Sequence, residues 1–187
     1  MSKAVLISIQ PKWVEKIANG EKTIEVRKSR PKLEMPFKVY IYETQGEYKT
    51  GTGIFAYGIE LKGTKNGKGK VIGEFVCDRI ICSQAYFDER GKNHLTNVFE
   101  EDIKRTCLTE YDLWDYIAGK AVKANQMYDG YLWHISDLKI YDKPKELSEF
   151  WTVKCTNKRN GCIGCEVKPN CIKTITRPPQ SWCYVEG

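Results

Sequence analysis

Residues 6–27, LISIQPKWVEKIANGEKTIEVR, constrain this chain more than any other stretch. A short apolar, β-branched run over 4–9 predicts a buried strand. Pro11 follows at once, suited to a first helical turn where its missing N–H costs nothing. Trp13, Val14, Ile17 and Ala18 then form a core-facing stripe at helical spacing. Gly20 is placed to end the helix in a left-handed conformation. The run 22–27 alternates again: Ile24 and Val26 share one face, and Thr23, Glu25 and Arg27 share the other. Lys22, Glu25 and Arg27 thus fall close together, and one wall of any functional site is expected here.

Further along, FKVYIY over 37–42 reads as a strand from its composition. The glycine-rich, basic stretch 46–70 reads as a mobile loop or extended hairpin, with a strand near 54–59. No Gly-Lys-Ser/Thr completes a phosphate-binding P-loop in it. VIGEFVCDRIIC over 71–82 predicts one further strand. Thr109 with Asp112 three residues on predicts an N-cap, opening a helix over 111–118 that Gly119 can end. YLWHISDLKIY over 131–141 predicts a strand with a bulge at Ser136-Asp137, closed by Pro144. Five or six strands with two short helices predict an α+β fold, a compact and mostly antiparallel barrel with helices over its ends.

At 187 residues the chain suits one domain with an extension, or two small ones, and is long enough for a proper core. Its 41% hydrophobic and 29% charged residues fit a globular protein. No apolar run approaches the roughly 20 residues of a membrane span, and residues 1–10 lack the form of a signal peptide. A cytoplasmic location is therefore expected, with the eight cysteines as metal ligands or thiols rather than disulfides. Of the net charge of +6, residues 151–187 carry +4, from six Lys/Arg against Glu166 and Glu186. That balance points to a polyanionic partner such as nucleic acid, with a plain solvated surface as the alternative.

Taken together, LISIQPKWVEKIANGEKTIEVRK, KVYIYET, VIGEF and GYLWHISDLKIYDKPKEL resemble the ASCH domain family of the PUA-like superfamily, over about residues 4–148. The most specific part is Gly20-Glu-Lys22-Thr-Ile-Glu25-Val-Arg27, which matches the family's G-x-K-x-x-E-x-R signature. The resemblance implies a small β-barrel whose cleft, lined by the signature residues, handles RNA or a nucleobase-bearing ligand. Some members are amidohydrolases acting on an acylated cytidine, others have been proposed as nucleases or translation-associated regulators. In the amidohydrolases the catalytic group includes this lysine, a threonine three residues later and a later glutamate. Here Glu25 stands where the threonine would be. Glu100, Glu101 and Glu110 lie near the later position, with Lys104 closest to alignment.

The residue chemistry is compatible with that cleft. Glu25 and Arg27, two apart on one strand face, offer an acceptor and a planar donor fork suited to a base edge or a phosphate. Lys22, just past Gly20, can be aimed into the same space as a base or nucleophile activator. A structural ion pair between Glu25 and Arg27 is the alternative.

Cys155, Cys162, Cys165 and Cys171 have the spacing C-x6-C-x2-C-x5-C. Four thiolates so close can complete a closed tetrahedral zinc site, ordering a segment too short for its own core. Cys183 is an alternative fourth ligand. Neither common ferredoxin spacing is present, and no H-x-E precedes the C-x-x-C as in base deaminases. Cys77, Cys82 and Cys107 read as buried small hydrophobes. The stiff segment 176–182 is expected to lie across the domain, with Arg177, Gln180 and Trp182 closing the cleft near Lys22. Trp182 would stack on a base there or simply anchor the C-terminal segment.

The expected organisation is an ASCH/PUA-like domain over 1–148 and a basic, cysteine-rich, zinc-knuckle-like extension over 149–187. The expected function is binding of RNA or a nucleoside-type ligand through Lys22, Glu25, Arg27, Arg177, Gln180 and Trp182. The first alternative is a hydrolase, an amidohydrolase or ribonuclease, using Lys22 with Glu25. A second is a regulator whose zinc tail binds a protein partner while the barrel is scaffold.

Overall fold

A computed structural model describes residues 3–47, 65–119, 123, 126–153 and 171–186. Cys155, Cys162 and Cys165 of the expected zinc set, and the strand expected near 54–59, lie outside the described residues. In chain order the elements are β1 (Lys3–Ile9), α1 (Pro11–Ala18), β2 (Ile24–Arg27), β3 (Phe37–Glu43), β4 (Gly46–Glu47) and β5 (Lys65–Asn66). They continue with β6 (Val71–Cys77), β7 (Ile80–Phe87), β8 (Asn93–Leu95), α2 (Glu100–Thr106), α3 (Glu110–Ala118) and β9 (Tyr128–His134). Last come β10 (Ser136–Lys145), a 3-10 turn (Leu147–Glu149), β11 (Trp151–Val153), β12 (Ile172–Thr174) and β13 (Trp182–Glu186).

A five-stranded sheet in the order β10-β6-β3-β1-β13 packs against a four-stranded sheet in the order β2-β9-β7-β8. The five-stranded sheet is buried on both faces, which explains the near-continuous apolar run of β1. Val5, Ile7 and Ile9 enter the core between the sheets with Phe37, Phe75 and Trp133, closed off by Val14 and Ile17 of α1. Ala4 and Leu6 point the other way, into a second core that Phe150 and Ile175 cover. Behind the four-stranded sheet, Leu113, Trp114 and Ile117 of α3 pack on Ile24, Val26 and Leu132.

The two sheets form an α+β body with three α-helices, but among the described residues they do not close into the expected barrel. Both edges of β1 are taken, one by β3 in parallel and the other by β13 in antiparallel. Among the described residues β2 pairs with β9 alone, so no ladder joins it to β1 there. A side chain spans that seam instead: Arg27 Nη2 donates to the Ser8 carbonyl at 2.6 Å. The open seam is where the cleft lies.

Two further corrections come from corners. The single strand expected over 71–82 is two strands, split at Asp78-Arg79, where the Arg79 carbonyl accepts from His134 N at 2.9 Å. The chain thereby steps from one sheet to the other. Pro144 does not end its strand, since β10 runs on to Lys145. The bulge at Ser136-Asp137 is present: Asp137 has φ 47° and the register with β6 shifts there. Gly73 sits where β10 crosses β6 so closely that a Cβ would lie 2.5 Å from the Lys139 carbonyl oxygen.

Candidate functional site

The turn after α1 places the site. Gly20 adopts φ +80°, and Lys22 N then donates back to the Lys16 carbonyl at 2.9 Å. The chain is folded under the helix, and Lys22 is carried into the interior at 3% exposure. Its Nζ donates to the carbonyls of Ile24 and Thr106, each at 2.8 Å. Glu25 Oε2 lies 3.3 Å away, and the Trp13 ring lies beneath with its centroid at 5.3 Å. Thr106 is the last residue of α2, so Lys22 satisfies a carbonyl that a helix C-terminus leaves open, at the end where a cation is favoured. Three acceptors around an ammonium match its three protons, an arrangement that holds it in position.

Glu25 is the centre of the group. Its other oxygen, Oε1, receives Arg27 Nη2 at 2.9 Å, with the glutamate side chain 6% exposed and the arginine 12%. Because Arg27 also binds the Ser8 carbonyl, and Ser8 Oγ donates to the Pro179 carbonyl at 2.6 Å, a polar relay crosses the floor. It runs from the end of α2 through Lys22, Glu25 and Arg27 to β1 and on to residues 178–181. Among the described residues Arg27 Nε is buried without a partner.

Above this floor is a cleft of about 830 Å³. α1 contributes Lys12 and Trp13, β2 and the turn before it contribute Lys22, Glu25 and Arg27, and the strap 178–180 forms one lip. Cys107, Asp112 and Tyr116 line it from the corner between α2 and α3. Of the residues expected from sequence, Lys22, Glu25, Arg27 and Gln180 meet in this lining. Arg177 is exposed and, like Trp182, is not in the lining. Trp182 is half-buried in β13, where its ring packs on Trp133 with centroids 6.0 Å apart and its Nε1 donates to Ser29 Oγ at 3.0 Å.

A family model for the ASCH domain matches residues 7–131, well over half of the chain. The chain belongs to the ASCH domain family. Among solved structures, this ASCH domain is similar to the crystal structure of an ASCH protein from Zymomonas mobilis, with a TM-score of 0.54 and 18% identity, covering 98% of this chain and 87% of that one. A single-substitution variant of that bacterial protein gives a TM-score of 0.53 at 18% identity, covering 98% and 88%. At such identity the likeness is one of fold. No curated protein matches.

Several residues of the ASCH cleft escaped sequence reasoning. Of the expected core stripe, Val14 and Ile17 are buried, Trp13 is half-buried against the same core while also lining the cleft, and Ala18 is exposed. Asp112 and Tyr116 are four apart on α3, so helical spacing could have put both on one face. Glu100 and Glu101 are exposed on α2, and Glu110 borders a separate hollow with Tyr111 and His94. Asp112 is the carboxylate that α3 gives to the cleft.

The cysteines expected as buried hydrophobes divide three ways. Cys77 is fully buried, and burial pushes its thiol up to about 12. Cys82 is exposed, and Cys107, in the left-handed region at φ 58°, is half-buried in the cleft. Cys171 is buried just before β12, and Cys183 is half-buried in β13 opposite Leu6. Among the described residues no group of three or more His, Cys, Asp or Glu side chains is placed to hold a metal.

Proposed function

We propose that the cleft binds a nucleobase-bearing ligand, RNA or a nucleoside-type molecule. The observation that carries this reading is the Glu25–Arg27 pair, 2.9 Å apart and largely buried, which lines a space of about 830 Å³ together with Trp13 and Tyr116. That volume falls in the range of small-molecule sites. A base edge needs donors and acceptors held in one plane, and a base face needs an aromatic platform. Arg27 supplies donors, Glu25 and the Gln180 amide supply acceptors, and the two rings supply the platform. Proposals of RNA binding for ASCH domains in general point the same way.

The test is calorimetric titration with nucleosides, nucleoside monophosphates and short RNAs, on the native protein and on Arg27→Lys. Lysine keeps the charge and loses the fork, so affinity is expected to fall at least about tenfold, or ~1.4 kcal/mol. Unchanged affinity in Arg27→Lys, Tyr116→Ala and Gln180→Ala alike would remove the cleft from the account.

A hydrolase using Lys22 and Glu25 is the second reading, and the placement of Cys107 favours it. That thiol stands in the same cleft as Asp112, where Glu25 replaces the hydroxyl of the amidohydrolase pattern. Chromatography of acylated nucleosides incubated with the protein would show a deacylated product that Cys107→Ser and Lys22→Ala abolish. No product at any concentration would discard the reading.

Cys155, Cys162, Cys165 and Cys171 are proposed to hold a structural zinc, on their spacing and on the burial of Cys171. Metal analysis of purified protein is expected to find about one zinc per chain that Cys171→Ser loses.

A further inference from the structure

Immediately beyond Arg27 the chain reads Lys28-Ser-Arg30-Pro-Lys32, with three cations and no acid. Lys28, Arg30 and Lys32 are exposed, and none has a carboxylate within ion-pair distance among the described residues. The intervening residues hold the loop to the body. Ser29 Oγ accepts from Trp182 Nε1 at 3.0 Å, Pro31 is buried, and Lys32 N donates to Tyr184 Oη at 2.7 Å. Two of the cations on this fixed backbone lie over aromatic rings. Lys28 Nζ is 5.7 Å from the Tyr116 centroid, and Arg30 Cζ is 5.8 Å from that of Tyr131. Gly119 lies against the end of Lys28: a Cβ there would come within 2.9 Å of Nζ.

Tyr116 belongs to both places, since it lines the cleft and carries Lys28 on its ring. We propose that residues 28–32 form a phosphate track along which a single-stranded RNA leaves the cleft, its backbone on Lys28, Arg30 and Lys32 and a flanking base on Tyr131. This rests on the nucleobase reading of the cleft and extends it from one nucleotide to a strand. Charge sets the direction. α3 also carries Asp112 and Asp115, which repel phosphates, whereas 28–32 attracts them. The loop is fixed in advance by its anchors from β13, which limits the ordering cost of binding. A folded protein partner would need an acidic patch shaped to a five-residue loop. A single strand brings repeated phosphates with stacking bases between them, which is what alternating cations over aromatic rings fit.

The test uses the full chain with a fluorescein-labelled single-stranded 10-nucleotide RNA and, separately, a nucleoside monophosphate. The variants are Arg27→Lys and the triple change Lys28→Ala, Arg30→Ala, Lys32→Ala. The triple variant is expected to keep its melting temperature and its mononucleotide affinity. Its RNA affinity should fall about 10- to 100-fold near 0.1 M salt. Its log–log salt slope should shrink by about 2, because three phosphates of a single strand are no longer neutralised. If the triple variant binds the RNA with native affinity and slope while Arg27→Lys weakens both ligands, the track is wrong and the cleft stands. If RNA binding depends on the three cations and is indifferent to Arg27→Lys, the cleft reading fails while the loop remains a nucleic-acid contact. Loss of binding to phosphatidylserine vesicles with RNA binding intact would assign the loop to a membrane surface and overturn the track.

Discussion

Replacing Glu25 by glutamine would show what holds the cleft floor in shape. The carboxylate is 6% exposed and stands between Lys22, 3.3 Å from one oxygen, and Arg27, 2.9 Å from the other. Glutamine keeps the volume and much of the hydrogen bonding while removing the charge. Lys22 at 3% exposure and Arg27 at 12% would then share a buried site without a counter-ion. Removing one partner from a buried ionic group costs ~3–5 kcal/mol, because the remaining charge is neither solvated nor paired. In a chain of this size each kcal/mol moves the melting temperature by about 2–4 °C, so a fall of roughly 6–20 °C is expected. Urea titration and thermal melting by circular dichroism measure it. Glu21→Gln is the control: its bond with Lys16 is short at 2.8 Å, but the pair is 41% and 53% exposed, and its midpoint should stay put. If Glu25→Gln moved the midpoint no more than this control, the cluster would be solvated, and its role as a strut between α2, β2 and β1 would be refuted.

Three other expectations follow from contacts already described or from neighbouring ones. Hydrogen bonds from His134 and His94 hold the carboxyls of Asp78 and Asp88 below the usual carboxylate range. Their contribution is present above the unfolded value of about 4 and is lost as pH falls through the lower folded values, so Asp78→Asn with Asp88→Asn should flatten the acid limb of stability; an unchanged limb contradicts this. Iodoacetamide should label exposed Cys82 in the native protein and buried Cys77 only after unfolding, as read by peptide mass mapping, and early labelling of Cys77 would contradict its burial. Trp182→Ala should cost about 3 kcal/mol, the low end for a tryptophan because the ring is half-buried, while leaving nucleotide affinity unchanged; a loss of affinity at constant stability would make Trp182 a binding residue instead.

Local signals carry much of the fold. β1, α1, β2 and β3 follow from the apolar run, Pro11, Gly20 and the alternation of 22–27. α3 follows from its cap, where Thr109 Oγ1 accepts from Asp112 N at 3.1 Å. α2 is hidden from sequence reading because its reasons are tertiary: it opens on Phe99, has few apolar positions, and is held from outside by Lys22 on its last carbonyl. The break at Asp78-Arg79 is hidden for a similar reason. The flanking residues are apolar on both sides, and only the partner strand, through His134, reveals that the direction changes. Barrel closure does not follow from a count of strands, which does not say that β13 will occupy the edge of β1. The signature residues are legible as a cluster, and the partners of Lys22 are not, because Thr106 lies 84 residues away.

The pairing of β13 with β1 joins residue 3 to residue 186 and residue 7 to residue 182. Loop entropy grows only logarithmically with length, so the native state is not heavily penalised for such a distant contact, but contacts of this kind slow folding. Until they form, β1 presents a bare strand edge bearing Val5, Leu6 and Ile7, all fully buried in the finished protein, and such an edge invites pairing between chains. Residues 182–186 therefore act kinetically as a seal. The yield of refolding at high protein concentration turns on how quickly they find residues 3–7 before a second molecule does.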